Sequence, residues 1–517
     1  MKDRQNVVAV RSSSCRDVSF EVRSAIKSHS RRYNSVRGFE VIGEQFERAQ
    51  SRLFSSSHFC DINVDCDEEE GYLEEEIYPE ASSMTLTTAT ATTNGGGGGD
   101  KKKRLAVILD HQSMFTVYKL LFLVSFVVNI TALTLAVSGR FSYARRNATV
   151  IAVGNILGLV LCRSEVFLRC VYWLAVRVLG RSWVPMILKM TTTSFLQSIG
   201  GIHSGCGMSS IAWLTYALVQ TERTPIDIPT VGWTILCLLI LSSLSANPII
   251  RHLYHNTFES IHRFAGWAAL GLLWVFVFIT TEDDLANLVR REIFWLTVAI
   301  TFLIIYPWTT VRKVPVEVTS PSLHASIIKF PGGLIPGLFG RIARSPLKDW
   351  HAFGIISDGK DTHKMLIGAV GDFTQNLITN PPTHLWVRQT RFAGLTYLLN
   401  MYNRVVVIAT GSGLCVYLSF FLQPSSADVH LVWVTKDVEK NVGGEIKTML
   451  DSFPKEKVVV HDTAVSGRPD LATITVDAAR RWRADMVIVT SNPKGTAEAV
   501  SASKAAGFNA FGPIWDS

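Results

Sequence analysis

The chain has 517 residues, 48% of them hydrophobic, with a mean hydropathy of +0.23. That is too apolar for an ordinary soluble protein and too polar for one embedded throughout. The net charge of +8 gathers at the N-terminus and beside the apolar segments, with no basic stripe interleaved with aromatics. A membrane surface explains such a pattern and nucleic acid does not. Eight cysteines without one CxxC argue against a disulfide framework or a zinc site.

Residues 1–104 read as a disordered tail. A Ser/Arg segment gives way to the acidic "DCDEEEGYLEEE", then to a Thr-rich tract, "NGGGGGD" and "KKKR". These residues lack the apolar core of a signal peptide, so the first apolar helix would act as the insertion signal. Ser35, three residues after Arg32, reads either as a basophilic kinase site or as plain solvated tail.

Six apolar segments follow, each long enough to span or nearly span a bilayer. They cover 115–139, 148–162 with a continuation through Arg163, Glu165 and Arg169, 184–220, 231–250, 256–281 and 293–308. An even count puts both ends of the bundle on one side. Lys101, Lys102, Lys103, Arg104, Arg177, Arg181, Arg251, Arg312 and Lys313 make that side the more basic, which predicts cytosolic termini.

From 314 to 390 the pattern turns to short β-like runs ("PVEVTS", "HASIIKF", "HAFGIIS", "HKMLIGAV", "THLWVRQ") punctuated by Gly and Pro. They predict a small antiparallel barrel or sandwich. From 402 onward four strand–helix units follow in sequence, beginning "RVVVIAT", "DVHLVWVTK", "KVVVHDT" and "ADMVIVT". Alternation of that kind predicts a doubly wound parallel sheet. The expected fold is therefore a six-helix membrane bundle (105–312), an antiparallel β-barrel (313–400) and a parallel α/β domain (401–517).

Three local matches give this order a meaning. "DWHAFGIIS" resembles the His-Pro-Phe-Thr strand that lies along the isoalloxazine in the ferric reductase and NADPH oxidase group. His351 and Phe353 match it, while Ala352 and Gly354 replace the Pro and Thr. "MLIGAVGDFTQNL" resembles the segment whose helix N-terminus faces the FAD pyrophosphate, with Gly371, Phe373 and Thr374 matching. In "VVVIATGSGLCVYLSFF", Gly411 and Gly413 follow a strand and open a helix, as a nicotinamide dinucleotide requires. The resemblance covers roughly 115–517. It is nearest to fungal and plant integral membrane proteins of intracellular redox homeostasis. The fungal forms place an adenylate-forming domain where the tail stands here.

The resemblance implies FAD at His351, Phe353, Gly371, Phe373 and Thr374, and NADPH or NADH at Gly411 and Gly413. Lys436 would meet a 2'-phosphate, and Trp515 in "FGPIWDS" would cover the flavin. By residue type alone, Gly371 and Gly413 read equally as turn glycines and Lys436 as a solvated strand-end lysine. Two departures stand out. "VRQTRFAGLTYLLNMYN" replaces a Gly-Pro-rich turn, and Thr490, Ser491 and Asn492 replace the Cys-Gly-Pro near the hydride path.

The same family holds two haems between its third and fifth helices, with two histidines on each helix about four turns, or ~20 Å, apart. Here His203 and His262 correspond to the first of each pair. The second positions are occupied by Tyr216 or Ala217 and by Val275 or Phe276. At most one haem, on the cytosolic side, is expected. The other reading of His203 is a helix-packing face, because Gly201, Gly205 and Ser209 repeat beside it. The function expected is a membrane flavin oxidoreductase passing electrons from NAD(P)H to a cytosol-side acceptor. The alternative is a non-catalytic redox-nucleotide sensor or scaffold on a degenerate reductase fold. The sequence names membrane lipid and a nicotinamide nucleotide as partners, and no protein partner.

Overall fold

The computed structural model describes residues 116–220, 227–247, 250–251, 254–281 and 285–513. The N-terminal tail, with Ser35, and Trp515 lie outside the described residues.

The helical part comprises α1 (Val117–Val137), α2 (Ser142–Arg146), α3 (Ala148–Leu161), α4 (Glu165–Leu179), α5 (Met186–Ser198), α6 (Gly200–Gln220), α7 (Asp227–Ser245), α8 (His255–Ile279), α9 (Leu285–Arg290) and α10 (Glu292–Thr309). Helix α6 is the centre, packed against α1, α3 and α7. Its Gly201, Gly205 and Ser209 are buried and form the small-residue face read from the sequence. A Cβ at Gly205 would overlap the Ser125 hydroxyl and lie 2.9 Å from the Phe122 carbonyl of α1. Close backbone approach of this kind is how helices associate where no water drives them together. Asn129 closes the contact, its Oδ1 accepting from Asn155 at 2.9 Å and from the Trp213 indole at 3.0 Å.

Of the six spans expected, four stand as candidates among the described residues. Helices α1, α7, α8 and α10 are each long and apolar enough to cross a membrane, and α3 with α4 adds a fifth only if that pair counts as one span bent by 67°. The run 184–220 divides at Ile199 into α5 and α6. In α6 the buried serines and glycines that suit a central helix also lower its hydropathy. Helices α4 and α5 turn toward the β-rich part, where Tyr172 and Leu196 join its hydrophobic core.

The antiparallel strands make two separate sheets, so the expected barrel is not closed. One sheet has the order β1 (Val311–Pro315), β8 (His384–Arg388), β4 (Leu338–Ala343), β5 (His351–Gly354), with β9 (Phe392–Ala393) also on β4. The other runs β2 (Glu317–Thr319), β3 (Ala325–Pro331), β7 (Thr362–Gly368), β6 (Ile356–Ser357). The chain changes sheets at Val316 and at Ile355, single residues between β1 and β2 and between β5 and β6. Strands as short as β2 and β6 cannot bridge the two edges, and corners of this type make a sandwich.

After a 3₁₀ segment, Leu395–Met401, the parallel sheet has the order β12 (Val458–Asp462), β11 (Asp428–Thr435), β10 (Arg404–Thr410), β13 (Met486–Thr490), β14 (Ala510–Phe511). The helices between are α12 (Cys415–Leu422), α13 (Val438–Asp451), α14 (Thr463–Ser466), α15 (Leu471–Trp482) and α16 (Pro493–Ala505); α11 (Asp372–Thr379) belongs to the sandwich. β10, β11 and β13 are almost wholly buried, which is why they read as unbroken apolar runs. The strand order reverses between β10 and β13, and such a switch point is where open α/β sheets bind ligands.

A polar seam joins helices to sandwich. Glu165, buried in the first turn of α4, accepts on one oxygen from Arg341 of β4 and, at 3.2 Å, from Arg388 of β8. The Arg388 guanidinium also lies 4.8 Å from the Trp350 ring and 5.6 Å from that of Trp308. Farther along, Arg263 of α8 pairs with Asp349 at 3.6 Å, and buried Lys189 donates to the Met401 carbonyl at 2.7 Å.

Candidate cofactor sites

The flavin-type residues come together. His351 on β5 stacks on Phe373 of α11, ring centres 4.0 Å apart at 19°, and Phe353 lies 6.3 Å farther along the same ladder. Burial holds the His351 imidazole below its ordinary pKa. Asp349 opposes this, while His255 and Arg341 add to it, so the ring is neutral at pH 7. Thr374 does not face outward. Its hydroxyl accepts from the amides of Val370 (3.0 Å) and Gly371 (2.9 Å) and donates to the Gly371 carbonyl, capping α11. The donors left at this N-terminus are those of the first turn, beside the exposed carboxylate of Asp372.

The glycine turn is closed. Gly411, with φ +51°, Ser412, Gly413 and Leu414 are all buried, and the Gly411 carbonyl accepts from the Trp433 indole at 2.8 Å. Hydroxyls knit it to the loop after β13. Thr410 donates to Ser491 at 3.0 Å, and Tyr417 and Thr490 lie 2.5 Å apart. These are the small polar residues that replaced Cys-Gly-Pro. A Cβ at Gly354 would lie 2.9 Å from Cys415 Sγ and would overlap Val416, so β5 rests directly on the start of α12. Burial pushes the Cys415 thiol up to about 12, and it stays protonated.

Lys436 follows β11 and is half-buried, its carbonyl accepting from the Asn441 amide. The backbone donors beside it are taken. Asp462 accepts from the amides of Asp437 (2.8 Å), Val438 (3.3 Å) and Ala464 (2.9 Å). Burial pushes this carboxyl up, but the three N–H groups outweigh it and hold it below the usual range. A carboxylate thus sits where a 2'-phosphate would seek donors.

The two bundle histidines meet. The rings of His203 on α6 and His262 on α8 are 6.3 Å apart between centres, at 52°. His203 Nδ1 donates to the Leu159 carbonyl at 2.9 Å, and His262 Nδ1 faces the Ser242 hydroxyl at 2.7 Å and its carbonyl at 3.3 Å. The Leu159 carbonyl only accepts, so His203 carries its proton on Nδ1 and its Nε2 keeps a lone pair, as in a histidine able to ligate a metal, whereas the nearer Ser242 hydroxyl can either donate to or accept from His262 Nδ1. Arg163 lies in electrostatic reach of both histidines and of Arg251 and Arg341, a basic group suited to carboxylate side chains of a macrocycle. Among the described residues no three His, Cys, Asp or Glu converge as a metal site. His203 and His262 are therefore the residues that could hold one bis-histidine group, and among the described residues nothing larger is assembled.

A row of rings runs from the histidine pair toward the flavin-type residues. His262 lies 5.5 Å from Phe258, and Phe258 lies 6.1 Å from His255. His255 is in turn in electrostatic reach of His351. Sequence reasoning named both ends and missed Phe258, His255, Ser242 and the arginine group, because their relation is purely spatial.

Known proteins share parts of this chain. Residues 395–517 match the family described as the C-terminal domain of adenylate-forming reductase 03009. Adenylate-forming reductase 03009 of Coprinopsis cinerea is 33% identical over 433 residues, 80% of this chain and 41% of that protein. Adenylate-forming reductase 06235 of the same fungus is 30% identical over 513 residues, 95% of this chain and 46% of that protein. The chain thus spans less than half the length of these relatives. Among solved structures, ferredoxin-NADP+ reductase from Plasmodium falciparum with 2'P-AMP aligns at TM-score 0.31 and 9% identity, over 39% of this chain and 95% of that one. The Amycolatopsis cytochrome P450 reductase GcoB aligns at TM-score 0.30 and 11% identity, over 40% and 70%.

Proposed function

We propose that the chain is an integral membrane oxidoreductase, multi-pass with its sandwich and α/β parts on the cytosolic side, acting in intracellular redox homeostasis. It would take electrons from NADPH or NADH, with FAD as intermediary, to an acceptor on that same side. The similarity to two fungal proteins that carry the name reductase supports the class. The observation that carries the reading is the row of rings from His203 through His262, Phe258 and His255 toward His351 and Phe373. It leads from the pair that could hold a haem toward the residues expected to hold a flavin, with charge influence rather than ring contact between His255 and His351. In this reading His351, Phe353 and Phe373 orient the flavin, the free amides of α11 receive its pyrophosphate, and His203 and His262 hold a haem. Bound flavin would supply the exchange between two-electron and one-electron chemistry.

A second reading has its own support. The buried Gly411–Leu414 turn, the Gly354–Cys415 contact and the occupied donors beside Lys436 leave no open cradle for a nicotinamide nucleotide. These favour a scaffold or sensor on a reductase-type fold, and no hydride step is derived through that turn.

The visible spectrum of detergent-purified protein separates the two. Flavin absorbance that bleaches on adding NADPH or NADH is the expected result, and a colourless protein refutes the first reading. A Soret band abolished by His203→Ala and by His262→Ala establishes the histidine pair as axial ligands. Its survival in either variant refutes that assignment.

A further inference from the structure

We propose that the surface between α4 and α10 binds one anionic phospholipid, with its head group at Arg169 in a cleft at the seam and an acyl chain along α10. The inference rests on the bundle crossing a bilayer. Two adjoining hollows carry it. A groove of about 340 Å³ runs between α8 and α10, lined by Trp274, Val298, Phe302, Ile305 and Tyr306. A cleft of about 500 Å³ opens beyond it, its walls mostly apolar (Val166, Trp173, Ile335) with Arg169, Thr310, Gln389 and Thr390 as its polar groups. Tyr306 lines both, and the consecutive residues Thr309 and Thr310 divide between them. One line along the molecule therefore passes from an almost wholly apolar groove to a cleft that adds one cation and a few neutral polar groups, at the end of a helix apolar enough to cross a membrane.

The polar end has one sign of charge. No Asp or Glu lines it, and Arg169 does. Its Nη1 donates to the Arg391 carbonyl at 3.1 Å, which fixes the guanidinium before any ligand arrives. Arg391 lies behind it, buried and bonded to the Arg388 carbonyl, so the positive field is reinforced from within. A fixed guanidinium with no carboxylate partner selects a phosphate oxygen pair over a neutral ring. The Gln389 amide and the Thr310 and Thr390 hydroxyls suit glycerol and ester oxygens. Trp173, 56% exposed, is placed as interfacial tryptophans are.

The test uses the full chain purified in mild detergent and exchanged into phosphatidylcholine bicelles doped with phosphatidylserine. Lipid retained through stepwise delipidation is identified by native mass spectrometry. One phosphatidylserine per chain, held in preference to phosphatidylcholine, is expected. Arg169→Gln should lower its retention about tenfold or more, with Arg169→Lys recovering part of it. Val298→Trp, which fills the groove without touching the cleft, should lower it as well. Equal retention of the two lipids, or an unchanged Arg169→Gln, overturns the proposal. Displacement by inorganic phosphate with no effect of Val298→Trp would assign a free-anion site instead. A lipid quinone as the retained species would overturn it too. The bilayer reading fails separately, if alkaline carbonate strips the chain from membranes.

Discussion

Glu165→Gln tests how helices and sandwich are held together. Glu165 is 7% exposed and one of its oxygens serves both Arg341 and Arg388. The Gln variant keeps the shape and one acceptor but leaves two cations without a counter-charge. Breaking a buried pair costs about 3–5 kcal/mol. The Arg341 side chain is 32% exposed and the Arg388 side chain 15%, so water screens the first link more than the second. The retained hydrogen bond lowers the sum again, to about 2–3 kcal/mol of lost seam stability. Hydrogen–deuterium exchange of the full chain in nanodiscs reads this locally. Amides of α4 and β8 should exchange roughly 30–150-fold faster in the variant, while α15 and α16 stay unchanged. Arg388→Met should cost more than Arg341→Met, in the order of their burial. A triple variant with Met at 165, 341 and 388 should regain most of the loss, because no orphaned charge remains. Exchange in Glu165→Gln within twofold of the wild type refutes the reasoning.

Two further outcomes follow from buried groups in the sandwich. His363 is 2% exposed, its Nδ1 donating to the Gly332 carbonyl at 2.6 Å and its Nε2 3.4 Å from an Arg391 nitrogen. Burial, with Arg391 adding to it, lowers its pKa from 6.5 to about 4. The unfolded chain then binds more protons between those values, so stability is fully present above pH 6.5 and is lost as pH falls through 4. The difference, 6.5 minus 4, at 1.36 kcal/mol per pH unit amounts to about 3 kcal/mol. Chemical denaturation at stepped pH should show this slope, and His363→Asn should flatten it; an equal slope in both proteins counts against the assignment. Gly354→Thr, which restores the residue expected in a flavin strand, should destabilise by about 1–3 kcal/mol through overlap with Cys415 and Val416. Calorimetry showing an unchanged or raised melting temperature would mean that β5 and α12 separate readily enough to admit a ligand.

The parallel sheet was legible because β10, β11 and β13 are buried on both faces and so read as continuous Val/Ile/Leu runs. β4 was missed. "LFGRIA" follows Pro336-Gly337 and contains Gly340, turn signals in isolation. In the fold, a Cβ at Gly340 would lie 3.1 Å from Arg391 Nη1, so the glycine serves packing. The break at Ile199 lies between Gln197-Ser198 and Gly200-Gly201, a signal hidden by reading 184–220 as one run, and the shared core shows that α5 has another partner. Motif reading found His351 and Phe373 but could not show that Thr374 turns inward to cap its own helix. His203 and His262 were identified from their helices, whereas the carbonyl and hydroxyl that orient them come from Leu159 and Ser242 on other helices.

Tyr172 and Leu196 belong to α4 and α5, yet they complete the same core as β3, β7 and β10. The folding unit therefore does not end where the apolar segments end. During synthesis α4 and α5 emerge more than a hundred residues before the strands they cover, and they must wait with part of that core bare. A fragment beginning at β1 would carry the complementary wound, so excising the sandwich and α/β parts for solution work should yield aggregates unless α4 and α5 travel with them.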